Sequence, residues 1–315
     1  MRMFGLKKGY RYPFQRRIVS LIRWAKKASF PGFDQIPLYD VGVFFLKGLK
    51  NGAISTRASA VAFNLFLALF PAIIFIFTLI PVIKIQNFQT ELLLLIESIL
   101  PESVYGAVQK TIEDIINIPH EGLLSFGFIL ALFFSSNGIV SLIEGFNASV
   151  NVRDTRSWIQ LRAISLLLLV LLSLLVTTAI ILIIFTHTFL KFLVDHGIME
   201  QNFTYYAVTI GKWIIILALF YFAYSFLFYI GPARKSKYRF ISAGSTLATL
   251  LSIGITFAFG FYIDHFGNYN ALYGSIGTLP VLMLMVYLNC VALIVGFELN
   301  IGIVAAKRLV SESPD

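Results

Sequence analysis

Two carboxylates stand where the chain offers them almost nothing polar for company. Glu144 and Glu298 each fall inside a run of otherwise largely apolar residues. On insertion scales a charged side chain in hydrocarbon costs ~2.5–3.5 kcal/mol, so such a group is kept for a partner or a task. Arg57 opens the first apolar run, and Asn64 follows about two turns on, along the same helical face. Asn137 and Glu144 share a face in the same way, and Asn147 follows. With a rise of about 1.5 Å per residue, Arg57, Asn64, Asn137, Glu144, Asn147 and Glu298 can converge in one half of a helical bundle. One reading is a polar pocket: the carboxylates hold a cation, a proton or a polar head group, and Arg57 holds an anionic group. The other is structural: Arg57 neutralises Glu144 or Glu298 to hold the bundle, or the glutamates reach out to the interface.

Other chemistry is sparse. No HExxH, P-loop, GxSxG or paired-cysteine motif occurs. The segments between apolar runs are too short for a catalytic domain, and no nucleophile with a base assembles around Cys290. The chain therefore reads as a non-enzyme without cofactor or metal. His120, His187, His196 and His265 match no metal-ligand spacing and read as surface groups at the outer boundary. Pro71 and Pro280 remove backbone donors inside apolar runs and are candidate helix breaks. Broken helices accompany transporter sites, and plain kinks are equally common.

The elements that must carry these residues follow from composition. Of 315 residues 58% are hydrophobic and only 13% charged. An ordinary soluble domain carries about twice that charge, so the apolar excess must face lipid. Six stretches reach the ~20 residues that cross a bilayer: 57–83, 123–149, 163–190, 207–230, 240–263 and 277–305. The prediction is an all-α polytopic membrane protein, a six-transmembrane-helix bundle over residues 57–306. A basic region, 1–56, precedes it and a short tail, 307–315, follows. Up to and including Arg57 there are twelve Lys and Arg against two acids; residues 84–122 hold two Lys against six acids. Residues 231–239 hold four basic groups and no acid. Basic and acidic segments alternate along the chain, which places both termini on the cytoplasmic side.

Residues 16–30 and 39–50 carry apolar residues on one helical face and include Lys or Arg, as interfacial helices attracted to anionic lipid do. Gly48 weakens the second helix. No nucleic-acid recognition fold accompanies the basic arm, so membrane lipids are the expected partner. Residues 84–122 read as two short amphipathic helices separated at Pro101. In the fifth stretch Gly244, Ala248, Ser252, Thr256 and Gly260 recur every fourth residue, a groove of small side chains for another helix. Asn137, Ser141, Gly145 and Ser149 form a similar, more polar row in the second. A homo-oligomer is compatible with these features.

Three segments resemble the YihY/virulence factor BrkB family of inner-membrane proteins. They are RASAVAFNLFLALFPAIIF (57–75), GIVSLIEGFNASVNVRDTRSW (138–158) and YGSIGTLPVLMLMVYLNCVALIVGFELN (273–300). The first holds the family's Leu69-Phe70-Pro71 step, the last its Gly296-x-Glu298-Leu299-Asn300 close. The family often has Tyr where this chain has Phe63-Asn64. The resemblance implies a six-helix protein of the bacterial cytoplasmic membrane, with shared polar positions at Arg57, Asn147, Tyr273, Gly274 and Glu298. It also brings a ribonuclease BN-like label, although this sequence has no phosphodiesterase metal ligands. What it implies for function is a transporter or a translocase of lipids or envelope precursors. The alternative is a non-transporting scaffold that organises other envelope proteins.

Overall fold

A computed structural model describes residues 20, 22–30, 32–51, 53–79, 121–149, 154–195, 203–233, 239–266 and 278–312. The proposed amphipathic pair in 84–122 lies outside these up to residue 120, as do residues 16–19 and 21 of the first interfacial segment. Among the described residues there are seven helices of substance and no strand. They are α1 (Leu38–Asn51), α2 (Ile54–Leu79), α3 (Glu121–Ser149), α4 (Trp158–Asp195), α5 (Phe203–Ile230), α6 (Ala243–Phe266) and α7 (Thr278–Glu312). α3 to α7 are each long and apolar enough to cross a membrane, and α2 adds a shorter apolar helix over Ile54–Ala68. The chain is a polytopic membrane bundle of helices. α2 to α7 correspond to the six apolar stretches, with α4 and α7 running further past the lipid-spanning windows than composition suggested.

The packing order is a ring. α2 packs on α3, α3 on α4, α4 on α5, α5 on α6, α6 on α7, and α7 returns to α2. α7 also touches α3 and carries α1 on its final turns. Phe146 of α3, Phe228 of α5 and Phe297 of α7 meet at the centre of this ring, all fully buried, with ring centroids 4.4–5.5 Å apart. Ile143, Leu168, Ile294 and Cys290 extend the same core. α4 and the first half of α5 bury little and turn Leu167, Val170, Leu174, Trp213 and Ile214 outward, as lipid-facing helices must.

Two glycines bring α6 and α7 backbone to backbone. A methyl on Gly244 would collide with the Gly296 carbonyl oxygen and the Asn300 side chain; one on Gly296 would lie 2.6 Å from the Gly244 carbonyl oxygen. Ala248 and Ser252 continue this seam, both buried, and Ser252 Oγ is 2.7 Å from the Tyr224 hydroxyl. The small-residue row thus packs over Gly244, Ala248 and Ser252. Thr256 and Gly260 turn outward, and no described atom would lie within 4 Å of a methyl on Gly260.

Neither proline interrupts its helix as expected. α2 continues through Pro71 to Leu79, and Pro71 is buried. Pro280 lies in the first turn of α7, where a missing N–H loses no intrahelical bond.

The α6–α7 seam sets the first test. Gly244→Ala should destabilise the fold by about 1–3 kcal/mol, the usual range for overpacking. Gly260→Ala should be silent. Thermal unfolding of the two variants in detergent micelles, followed by loss of the monodisperse peak, distinguishes them.

Candidate functional site

At the end of the bundle where α2, α6 and α4 begin, Arg57 and Glu298 form an ion pair. Arg57 Nη2 donates to Glu298 Oε1 at 2.6 Å, and the two side chains are only 11% and 3% exposed. Arg57 Nη1 donates to the Gly145 carbonyl oxygen at 2.8 Å and to Ser149 Oγ. One guanidinium therefore ties α2 to α3 and α7 together. Its Nε is buried and has no hydrogen-bond partner among the described residues. The remaining carboxylate oxygen of Glu298 lies against α1: a methyl on Gly48 would sit 2.7 Å from Glu298 Oε2. This accounts for a glycine inside an otherwise regular helix. Any side chain there would press on the carboxylate, so helix propensity yields to close approach.

α1 covers the pair by packing on α7 beyond it. Val41 joins Phe33, Ile36, Ile303 and Ala306 in a second apolar cluster. A methyl on Gly302 would meet the Phe45 backbone nitrogen at 3.1 Å. Asp34, in a left-handed conformation with φ 53°, holds the preceding segment to Arg239 and Lys307, each at 2.8 Å. α1 joins α2 over residues 52–53, and Ala53 has φ 44°, a conformation that an L-residue with a β-carbon rarely adopts.

The six polar residues singled out by spacing do not all hydrogen-bond to one another. Only Arg57 and Glu298 meet. Asn64 donates to Ser141 Oγ at 2.8 Å. Asn137 accepts from Arg162 at 2.9 Å. Asn147 donates to Asp154 at 2.9 Å and accepts from the Ala233 backbone nitrogen at 2.9 Å. Glu144 faces outward, exposed, with no ion-pair partner among the described residues. The polar row Asn137, Ser141, Gly145 and Ser149 supplies α3's side of this pattern. It offers Asn64, Arg57 and Arg162 one acceptor or more apiece.

Sequence spacing did not single out several residues that close this end of the bundle. Arg156 donates to Asp154 and, at 3.0 Å, to the Gly231 carbonyl oxygen just past the end of α5. The guanidinium beside Asp154 holds its carboxyl below the ordinary carboxylate range. Asn300 accepts from the Gly244 backbone nitrogen at 2.8 Å and donates to Ser242 Oγ at 3.0 Å. The start of α6 is thus capped partly from α7. The signal for Asn300 was its place in the Gly-x-Glu-Leu-Asn close; Arg156 was visible only as loop charge. Ser157 and Gln160 form a capping box at the start of α4. No group of three or more His, Cys, Asp or Glu among the described residues could hold a metal ion.

A helical membrane bundle closed at one end by a buried arginine–glutamate pair is the class of protein that these features define. Within that class the chain belongs to the virulence factor BrkB family, whose family model matches residues 45–314. It is 30% identical over 260 residues to YfkH of Bacillus subtilis (strain 168), a protein whose name calls it ribonuclease-like; the match covers 82% of this chain and 93% of that one. It is 25% identical over 262 residues to a UPF0761 membrane protein of Pseudoalteromonas atlantica, 81% and 83% of the two chains. It is 24% identical over 180 residues to another of Idiomarina loihiensis, 57% and 60% of the two chains. No solved structure matches. These names carry membrane residence and, for YfkH alone, a ribonuclease-like label.

Two tests follow from the geometry. Arg57→Ala strands a buried carboxylate and should destabilise by about 3–5 kcal/mol. Adding Glu298→Gln should restore part of the loss, so the double variant melts higher than Arg57→Ala alone. Asp154 provides the pH test. Its carboxyl is lowered in the folded state, so its contribution is complete above the ordinary carboxylate pKa and lost as pH falls through the lowered value. Asp154→Asn should reduce stability near neutral pH, with the difference shrinking below about pH 4, near the unperturbed carboxylate value. Melting temperatures across pH 3–7 read the convergence.

Proposed function

We propose that the chain is a transporter or a translocase of lipids or envelope precursors in the bacterial cytoplasmic membrane, with both termini cytoplasmic. The observation that supports this most is the Arg57–Glu298 pair. Replacing a buried ion pair by packed apolar residues is often neutral or stabilising, so stability alone is a weak reason for its presence. A pair that opens can do more. Protonation of Glu298, or a cation on it, would release Arg57 for an anionic group. An anionic group on Arg57 would in turn free Glu298. The orphaned Nε of Arg57 is a donor not yet used. Among the described residues Arg156, Arg162 and Arg239 lie in loops or at helix starts on this same side, which supports a cytoplasm-facing site.

The scaffold reading rests on a different feature. Thr256 and Gly260 leave the outer half of α6's small-residue groove open, and no described atom would lie within 4 Å of a methyl on Gly254 or Gly260. Small-residue grooves of this kind accept a second helix. Crosslinking from Gly260→Cys in native membranes would capture a stoichiometric partner on that reading.

The test of transport is reconstitution. Purified protein in liposomes should move labelled phospholipid or an envelope precursor between leaflets, and Glu298→Gln should lower the rate by at least tenfold while the protein remains monodisperse. Unchanged flux in Glu298→Gln removes the pair from the mechanism.

A further inference from the structure

Arg162 poses a charge problem that the other described residues do not solve. It lies one turn into α4, on the surface between α3 and α4. Its guanidinium carbon is 4.9 Å from the centre of the Phe133 ring and 5.3 Å from that of Trp158. Both rings are open to the surroundings: Trp158 is 69% and Phe133 47% exposed. Every hydrogen bond that Arg162 makes to the described residues through its side chain leaves from Nη1. The acceptors are Asn137 Oδ1 at 2.9 Å, the Phe133 carbonyl oxygen at 3.5 Å, and Ser136 Oγ. All three are neutral. No carboxylate among the described residues lies within ion-pair distance. Nε and Nη2 donate to no described residue, and neither is buried.

An arginine on a lipid-facing surface needs a counter-charge or a route to water. The neighbouring arginines have theirs: Arg57 holds Glu298 and Arg156 holds Asp154. For Arg162 the protein supplies a rigid seat instead. Three neutral acceptors fix one nitrogen, two aromatic faces fix the plane, and the Nε–Nη2 edge is left outward. That edge is the fork that matches two oxygens of a phosphate. Trp158 beside it is the residue type that settles at head-group depth.

We propose that Arg162, framed by Phe133 and Trp158, is a binding site for the phosphodiester of a membrane phospholipid at the α3–α4 surface. The site is separate from the Arg57–Glu298 pair and does not depend on the transport reading. The exposed carboxylate of Glu144 lies about two turns further along α3, so an amine-bearing head group fits the same surface as well as a plain anionic one.

The experiment uses the full chain, purified, delipidated and titrated with phosphatidylglycerol or phosphatidylethanolamine while native mass spectrometry counts bound lipid. Wild type should retain at least one phospholipid that Arg162→Ala binds about tenfold more weakly. Arg162→Lys, which keeps the charge but loses the fork, should fall between them. Arg239→Ala, at an exposed basic residue elsewhere, should leave the tightest lipid unchanged. A second readout survives a misfolding Arg162→Ala. In a Trp24→Phe/Trp213→Phe chain, Trp158 is the sole tryptophan, and head-group spin-labelled phospholipid should quench it. A phosphate-free glycolipid carrying the same label should quench it less, and millimolar inorganic phosphate should not compete. Equal lipid affinity in wild type and Arg162→Ala overturns the proposal. So does equal quenching by the glycolipid, and competition by free phosphate would reassign the site to a soluble anion.

Discussion

A carboxylate in a membrane helix must find its own counter-charge, and the closed end of this bundle is arranged around that requirement. Glu298 is 3% exposed within a helix that reads as a span. Arg57 answers it from α2, and the reach of one guanidinium then fixes three helices relative to one another. Gly145 contributes a carbonyl because helix ends and small residues let a donor approach the backbone. Gly48 exists as glycine because the carboxylate's other oxygen lies against α1. Remove the charge and none of these choices has a reason.

The same end of the bundle gathers the backbone groups that helix termini leave unpaired. Six spans in up-and-down order bring the starts of α2, α4 and α6 together with the ends of α3, α5 and α7. Each start leaves N–H groups open, and each end leaves carbonyls. Side chains from neighbouring helices meet several of them: Asn300 serves α6, Arg156 serves the end of α5, and Asn147 bridges Asp154 to the Ala233 nitrogen. These are polar residues holding helices end to end, while phenylalanines hold them side by side. The division explains how a chain so poor in charge can carry such specific contacts at one end.

The all-helical membrane bundle was legible because length and apolarity decide it and loop interruptions are strongly polar; α3 to α7 are each long and apolar enough to cross a membrane. The site was legible in part. Arg57 and Glu298 announced themselves by cost, since a charge in an apolar run demands explanation. Their pairing, rather than Arg57 with Glu144, was not readable. Glu144 and Gly145 are about 100° apart on α3, and that one step decides whether the bundle or the outside receives the carboxylate. The separate partners of Asn137 and Asn147 were not readable for a similar reason. Seven-residue spacing shares a face along one helix, yet α2 covers Ser141 while α4 takes Asn137. Pro71 shows the limit of local rules: its missing N–H is tolerated inside a helix that runs on to Leu79. Gly48 shows the reverse, a residue unfavourable by propensity and required by contact.

Adjacent positions on α7 separate two functions that a single polar pore would merge. Phe297 points to the ring centre, where Phe146 and Phe228 close it; Glu298, about 100° away, points to the seam between α1, α2 and α7. The charge therefore stands off the axis, and the axis at that level is aromatic and packed. On the transport reading, a cargo that reaches Glu298 comes along the α1–α2–α7 seam and not down the middle of the ring. α1 is the element that would have to yield. It rests on α7 through the Val41 cluster and the Gly302–Phe45 contact, and it is joined to α2 at the strained Ala53. On that same reading the seam would lie at the side of the ring once α1 yields, which suits an amphipathic molecule better than a hydrated ion.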